Sequence, residues 1–176
     1  QGREAVNPLY DALPQIVQET MDKFAKLTGR KYGVVDYIGD KNAKYVIVSM
    51  GSSCETIEET LKYLPDGIGL IRVHLFNPFP VDAFLKVLPK TVKQIAVLDR
   101  TKEPGCIGEP LYQNVRSIVD SKIAVFGGRY GLGSKEFKPR DVKAIVEYMM
   151  RGNLHHNFTV GIDDDLSGTS LTTDKT

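Results

Sequence analysis

Tryptophan is absent, cysteine occurs twice, and no uninterrupted apolar run exceeds a few residues. Each shortage excludes something. Two thiols, Cys54 and Cys106, build neither a disulfide framework nor a four-thiolate iron–sulfur site. A bilayer-crossing helix needs about 20 apolar residues in a row, and no such run exists. No apolar leader follows the opening Gln1-Gly2-Arg3-Glu4. Charge of one sign is lacking too: 23 Lys and Arg stand against 22 Asp and Glu, a net charge of +1. That balance creates no general field for nucleic acid or an anionic membrane, so neither is expected as a partner. The expectation is one soluble intracellular domain. At this length about 70% of the unfolded surface is buried without metal or disulfide staples.

What is present alternates. Over 9–27, Leu13, Ile16, Val17, Met21, Phe24 and Leu27 trace one helical face, and Gly29 supplies a stop. Segment 32–39 is short and irregular, a connector or an edge strand. From Lys44 onward, strand is followed by helix four times. Strands are expected at 44–50, 69–76, 94–98 and 123–126. A helix with the capping-box pattern Ser52…Glu55 runs to Leu64. Others are expected at 81–88, 111–120 and 140–150, the last with Pro139 beside its start. Segment 158–162 can add an edge strand. Near-continuously apolar strands alternating with helices predict an α/β fold. Its three layers are a mostly parallel sheet with helices on both faces. The expected organisation is a helical arm and connector over 1–43, the α/β body over 44–162, and a Ser/Thr/Asp-rich linker over 163–176.

In such sheets ligands bind outside the carboxyl ends of the strands. Four loops lie there: 51–54, 77–80, 99–110 and 127–137. The last contains Gly127-Gly128-Arg129-Tyr130-Gly131-Leu132-Gly133-Ser134-Lys135. Its glycines let backbone N–H groups approach a phosphate, with Lys135, Lys138 and Arg140 alongside. It misses the P-loop pattern, because Ser134-Lys135 reverses the required order. Either it is a tight loop packed on a neighbouring domain, or it binds an anion. In the second case the candidates are Arg129, Gly131, Gly133 and Lys135, with Arg100 and Lys102 from the preceding loop. Arg100 and Lys102 share that loop with Asp99 and Glu103, so a solvated loop or a salt-bridged interface competes with ligand contact.

Cys54 opens a helix, where the dipole lowers a thiol pKa, and His74 on the next strand is a conceivable base. Nothing orients that base, so catalysis by Cys54 is not expected. His155 and His156 are consecutive and diverge. Asp163-Asp164-Asp165 lacks calcium-loop spacing. No metal site and no catalytic residue is expected.

Several longer stretches carry a resemblance. The first is Tyr45-Val46-Ile47-Val48-Ser49-Met50-Gly51-Ser52-Ser53-Cys54-Glu55-Thr56. The second is Val97-Leu98-Asp99-Arg100-Thr101-Lys102-Glu103-Pro104-Gly105, continued by Gly108-Glu109-Pro110-Leu111-Tyr112. The third is Gly128-Arg129-Tyr130-Gly131-Leu132-Gly133-Ser134-Lys135-Glu136-Phe137. The fourth is Asn157-Phe158-Thr159-Val160-Gly161-Ile162, with Thr169-Ser170-Leu171 after it. In this order, over about 32–171, they resemble the pyruvate:ferredoxin (flavodoxin) oxidoreductases.

The resemblance implies the second domain of a large multidomain enzyme, similar to the C-terminal domain of transketolases. The parent enzyme decarboxylates pyruvate on thiamine diphosphate with Mg²⁺. It passes electrons through [4Fe–4S] clusters to ferredoxin or flavodoxin and makes acetyl-coenzyme A from coenzyme A. It also implies a parent homodimer, located in the cytoplasm or in an anaerobic mitochondrion-related organelle. A eukaryotic relative, pyruvate:NADP⁺ oxidoreductase, shares this region. In that superfamily the domain packs and positions, and none of the family's catalytic residues maps here. Three readings follow: a packing domain, a coenzyme A-contacting module using Arg129, Lys135 and their neighbours, or a stand-alone protein of the same fold.

Overall fold

Valine, isoleucine and leucine fill the strands because the central ones are covered on both faces. The computed structural model describes residues 1–174; Lys175 and Thr176, the end of the expected linker, lie outside the described residues. The elements are α1 (Asn7–Thr28), β1 (Val35–Gly39), β2 (Tyr45–Met50), α2 (Ser53–Leu61), β3 (Ile68–Val73) and α3 (Val81–Val87). They continue as β4 (Gln94–Asp99), α4 (Pro110–Ile118), β5 (Ala124–Arg129), α5 (Pro139–Arg151) and β6 (Phe158–Thr159). The strands form one sheet in the order β1-β3-β2-β4-β5-β6. Every pairing is parallel except β1 on β3.

Alternation along the strands divides the core. Ile47, Leu70, Ala96 and Leu98 point to one side, against Ile57 of α2 and Ile145 and Met149 of α5. Val46, Val48, Ile71, Ile95 and Val97 point to the other, against Phe84 of α3 and Leu111 and Val115 of α4. These are the three layers expected from the sequence.

The connector takes the edge-strand form that its sequence allowed. The connector within 1–43 contains β1, which pairs along its whole length with β3, from Val35 opposite Val73 to Gly39 opposite Gly69. The segment expected as linker begins beside the sheet. Thr159 N–H donates to Thr169 O at 2.8 Å and Leu171 N–H to Thr159 O at 2.8 Å, and Leu171 is buried. The expected 158–162 strand is Phe158–Thr159, with Val160 N–H still donating to Arg129 O at 3.0 Å. The capping box is not formed: Ser52 makes no side-chain cap, while the Ser53 hydroxyl donates to Met50 O at 3.0 Å.

The acidic turn after β6 is held by Asp165. It accepts hydrogen bonds from the Ser167 hydroxyl at 2.6 Å, Ser167 N–H at 2.9 Å and Ser170 N–H at 2.6 Å. These donors, led by the Ser167 hydroxyl, hold its carboxyl at about 2. The fold therefore favours the ionised form. The turn has this support above the ordinary value of 3.8 and loses it as pH falls through about 2. A carboxyl-detected NMR titration should place the Asp165 midpoint at about 2; a midpoint near 3.8 would mean that the turn does not form.

Among the described residues no helix is long and apolar enough to cross a membrane.

Candidate functional site

The sheet order places β2 beside β4, with β3 on one flank and β5 on the other. From β2 the chain moves outward to β3, and from β4 it moves outward the other way to β5. The helices that follow, α2 and α4, pack on opposite faces. Their loops therefore diverge at the carboxyl edge and leave a crevice at the topological switch point.

A cleft of about 640 Å³ opens there, lined by Ser52 and Ser53 after β2, Arg100 after β4, and Tyr130, Gly131 and residues 134–139 after β5. That volume suits a small-molecule fragment. Gly131 has φ 63°, a left-handed conformation that favours glycine. A Cβ at that position would lie 2.9 Å from Arg100 Nε, so the guanidinium lies against the bare backbone. Among the described residues Arg100 makes no ion pair. Lys135 Nζ reaches Asp164 Oδ1 at 3.4 Å and Lys138 Nζ reaches Glu136 Oε2 at 3.1 Å. These exposed pairs hold their lysines weakly. Glu55 and Glu59 line the same cleft, so its field is mixed.

The six candidates from the sequence separate here. Arg100, Gly131 and Lys135 come together at the cleft. Lys102 is exposed and its Nζ donates to Glu103 O at 3.5 Å, away from the cleft lining. Gly133 has φ 62° in a short 3-10 turn, with no neighbour within 4 Å of an added Cβ.

Arg129 turns inward, where β5 carries it beneath the loops. Its Nε donates to Glu109 Oε1 at 2.6 Å, and the pair is almost fully enclosed, with side chains 6% and 1% exposed. Its other two nitrogens donate to Asn157 O and Asn157 Oδ1, each at 3.1 Å. Glu109 Oε2 accepts from Glu103 N–H at 2.8 Å. The buried ion pair thus ties the 99–110 loop to β5 through the Glu109 carboxylate, and β5 to the entry of β6 through the Arg129 guanidinium.

Asp99 completes the arrangement. Its carboxylate accepts from Leu111 N–H at 2.9 Å and Tyr112 N–H at 3.2 Å, the open N–H groups at the start of α4. Burial pushes its carboxyl up, opposed by those two N–H groups. His156 Nδ1 accepts from Gly127 N–H at 3.0 Å, so its Nε2 carries the proton that Ile107 O accepts at 2.7 Å.

Gly127 and Gly128 are part of β5, not of a phosphate-cradling loop. A Cβ on Gly128 would sit 2.1 Å from the Phe158 ring, and one on Gly127 would sit 3.0 Å from the His156 ring. These glycines make room for side chains.

Cys54 lies wholly inside the core. Burial pushes its thiol up, opposed by the nearby Arg72 guanidinium. His74, the conceivable base, pairs instead with Asp36 Oδ2 at 3.1 Å. Cys106 is exposed. A disulfide reagent should count one reactive thiol per native chain and two after unfolding. Two fast-reacting thiols in the native chain would show that the α2 start opens readily.

Sequence reasoning missed Glu109, Asn157 and His156 as a linked group. Their partners lie 20 to 28 residues away along the chain for Arg129 and 29 for His156. Among the described residues, no group of three or more His, Cys, Asp or Glu is placed to hold a metal ion.

Residues 43–142 match the family model for pyruvate:ferredoxin oxidoreductase core domain II. The chain is similar to a pyruvate:ferredoxin oxidoreductase of Moorella thermoacetica, 55% identical over 177 residues, covering 97% of this chain and 15% of that protein. It is 50% identical to a pyruvate-flavodoxin oxidoreductase of Rhodospirillum rubrum over 191 residues, covering 99% of this chain and 16% of that one. An NADP⁺-dependent pyruvate dehydrogenase of Cryptosporidium parvum is 47% identical over 178 residues, covering 96% of this chain and 9% of its own length. The chain therefore spans less than a fifth of these relatives. On the family match and these identities, the chain belongs to the pyruvate:ferredoxin oxidoreductase core domain II family.

Proposed function

We propose that this chain is a packing and positioning domain of a pyruvate oxidoreductase. The parent enzyme oxidatively decarboxylates pyruvate to acetyl-coenzyme A and CO₂ and hands electrons to ferredoxin or flavodoxin. Thiamine diphosphate, Mg²⁺ and the [4Fe–4S] clusters belong to other parts of the polypeptide.

The observation that carries this reading is the Glu109–Arg129–Asn157 group. At the carboxyl edge of the sheet, where α/β enzymes place reactive groups, the buried charges bind one another and join the 99–110 loop, the end of β5 and the residue that precedes β6. Such an edge is a rigid surface for neighbouring domains to build on.

A second reading is favoured by the cleft at the switch point. There Arg100, Lys135 and Lys138 contact the phosphates of coenzyme A, with Arg100 lying against the bare backbone of Gly131. One experiment separates the two. In the full-length enzyme, Lys135→Glu and Arg100→Glu should leave KM for coenzyme A and for pyruvate within about twofold if the domain only packs. A selective rise of tenfold or more in KM for coenzyme A transfers the assignment to contact.

A further inference from the structure

Helix α1 carries a broad apolar surface that the body of the protein covers only in part, with Leu13 half-buried and the Phe24 ring 6.2 Å from that of Tyr32. At 100° per residue, Pro14, Val17, Gln18, Met21 and Ala25 share the partly covered side. Gln18 pins that side: Val34 N–H donates to its Oε1 at 2.9 Å, and its Nε2 donates to Tyr32 O at 3.2 Å. A second stripe runs through Leu9, Leu13, Ile16, Thr20, Phe24 and Leu27, with steps of 4, 3, 4, 4 and 3. These six positions fall within about 80° of one another and extend about 27 Å along the axis. Leu9 is 71% exposed, Ile16 52% and Leu27 86%. No residue of α1 is buried.

The width of the stripe identifies what fits it. A helix packed on a sheet or a broad core shows an apolar arc of about 100° or more, whereas a seam against one other helix is narrower. Glu19, Lys23 and Lys26 border the stripe on one side, as charged residues border such seams. An exposed apolar stripe of this length marks an interaction surface. The relatives align over 96 to 99% of this chain, so α1 lies within the shared segment. That segment is 15% of the Moorella thermoacetica protein, which leaves most of that polypeptide to supply the cover.

We propose that α1 is a docking helix, and that its Leu9–Ile16–Leu27 stripe seats against a helix from the part of the same polypeptide outside these 176 residues. This rests on the reading of the chain as a packing domain and names the surface through which it packs.

The test uses the full-length enzyme with a benzophenone amino acid at position 16. Irradiation and mass spectrometry should join position 16 to a helical segment outside the 176 residues. A cross-link to α1 of a second copy overturns the proposal in favour of self-pairing. Hydrogen exchange over 7–28 supplies the second readout. The Ile16→Asp/Leu27→Asp pair should speed exchange there at least tenfold in the assembled enzyme. Unchanged exchange together with no cross-link overturns docking. The outcome is separable from that of the packing reading. A selective change in KM for coenzyme A on Lys135→Glu removes that reading whatever α1 does. An undocked α1 with unchanged KM removes only the present inference.

Discussion

Arg129→Met should destabilise the folded chain by about 3–5 kcal/mol, the cost of leaving a buried charge without its partner. The urea midpoint should fall by more than about 1 M at the slopes usual for small proteins. The geometry explains the size. Arg129 and Glu109 are nearly fully enclosed, and all three guanidinium nitrogens are satisfied within the fold. Removing the guanidinium leaves the buried Glu109 carboxylate near that of Asp99, with only Glu103 N–H as a described donor. Removing both charges is a different matter. Because each ion has already lost its hydration, Arg129→Met/Glu109→Leu should recover most of the loss. The double-mutant cycle reads that coupling. A single-variant loss under about 1 kcal/mol, within the range of exposed pairs, would show that water reaches the pair. The edge would then be a soft surface for neighbouring domains and not a rigid one.

The second large effect is steric. Gly128→Ala should cost about 3 kcal/mol, the upper end of overpacking penalties, because the new methyl group would lie 2.1 Å from the Phe158 ring. That ring cannot swing out. Gly128 and Phe158 are paired neighbours on β5 and β6, and Phe158 is wholly enclosed within the core shared by α2 and α5. Phe158→Ala alone should also cost about 3–5 kcal/mol through the cavity it leaves. The Gly128→Ala/Phe158→Leu pair should therefore be more stable than the sum of its single changes, since the smaller side chain admits the methyl group. Equilibrium urea unfolding of the unaltered chain, Gly128→Ala, Phe158→Leu and the pair measures this. Simple additivity would mean that Gly128 is glycine for another reason, such as a close approach of ligand to backbone.

Much of the body was legible because burial imprints itself locally. β2 reads as Tyr45-Val46-Ile47-Val48 because a parallel strand between two others is apolar on both faces. The switch from that run to the spacing Ile57, Leu61 marks strand becoming helix, although α2 ends at Leu61 and not at the expected Leu64. Gly29, read as a stop, ends α1 in the left-handed conformation that favours glycine. Family membership was legible for a different reason: long motifs such as 45–56 and 128–137 survive as strings whatever their physical role.

What only the tertiary structure decided depends on partners distant in sequence. Gly127, Gly128 and Arg129 look like the start of a phosphate-cradling loop, since glycine beside a base signals backbone approach. In the fold they finish β5. Their roles follow from Phe158, His156 and Asn157, which β6 and the residues before it bring alongside. Arg129 points inward because Glu109, 20 residues earlier, waits there without another charge to neutralise it. Segment 35–39 is a strand because β3 offers it an unpaired edge. The hydrophobic pattern along a chain determines which faces are covered. Which charge meets which, and which glycine makes room for which ring, is set by the register of strands and loops that periodicity does not encode.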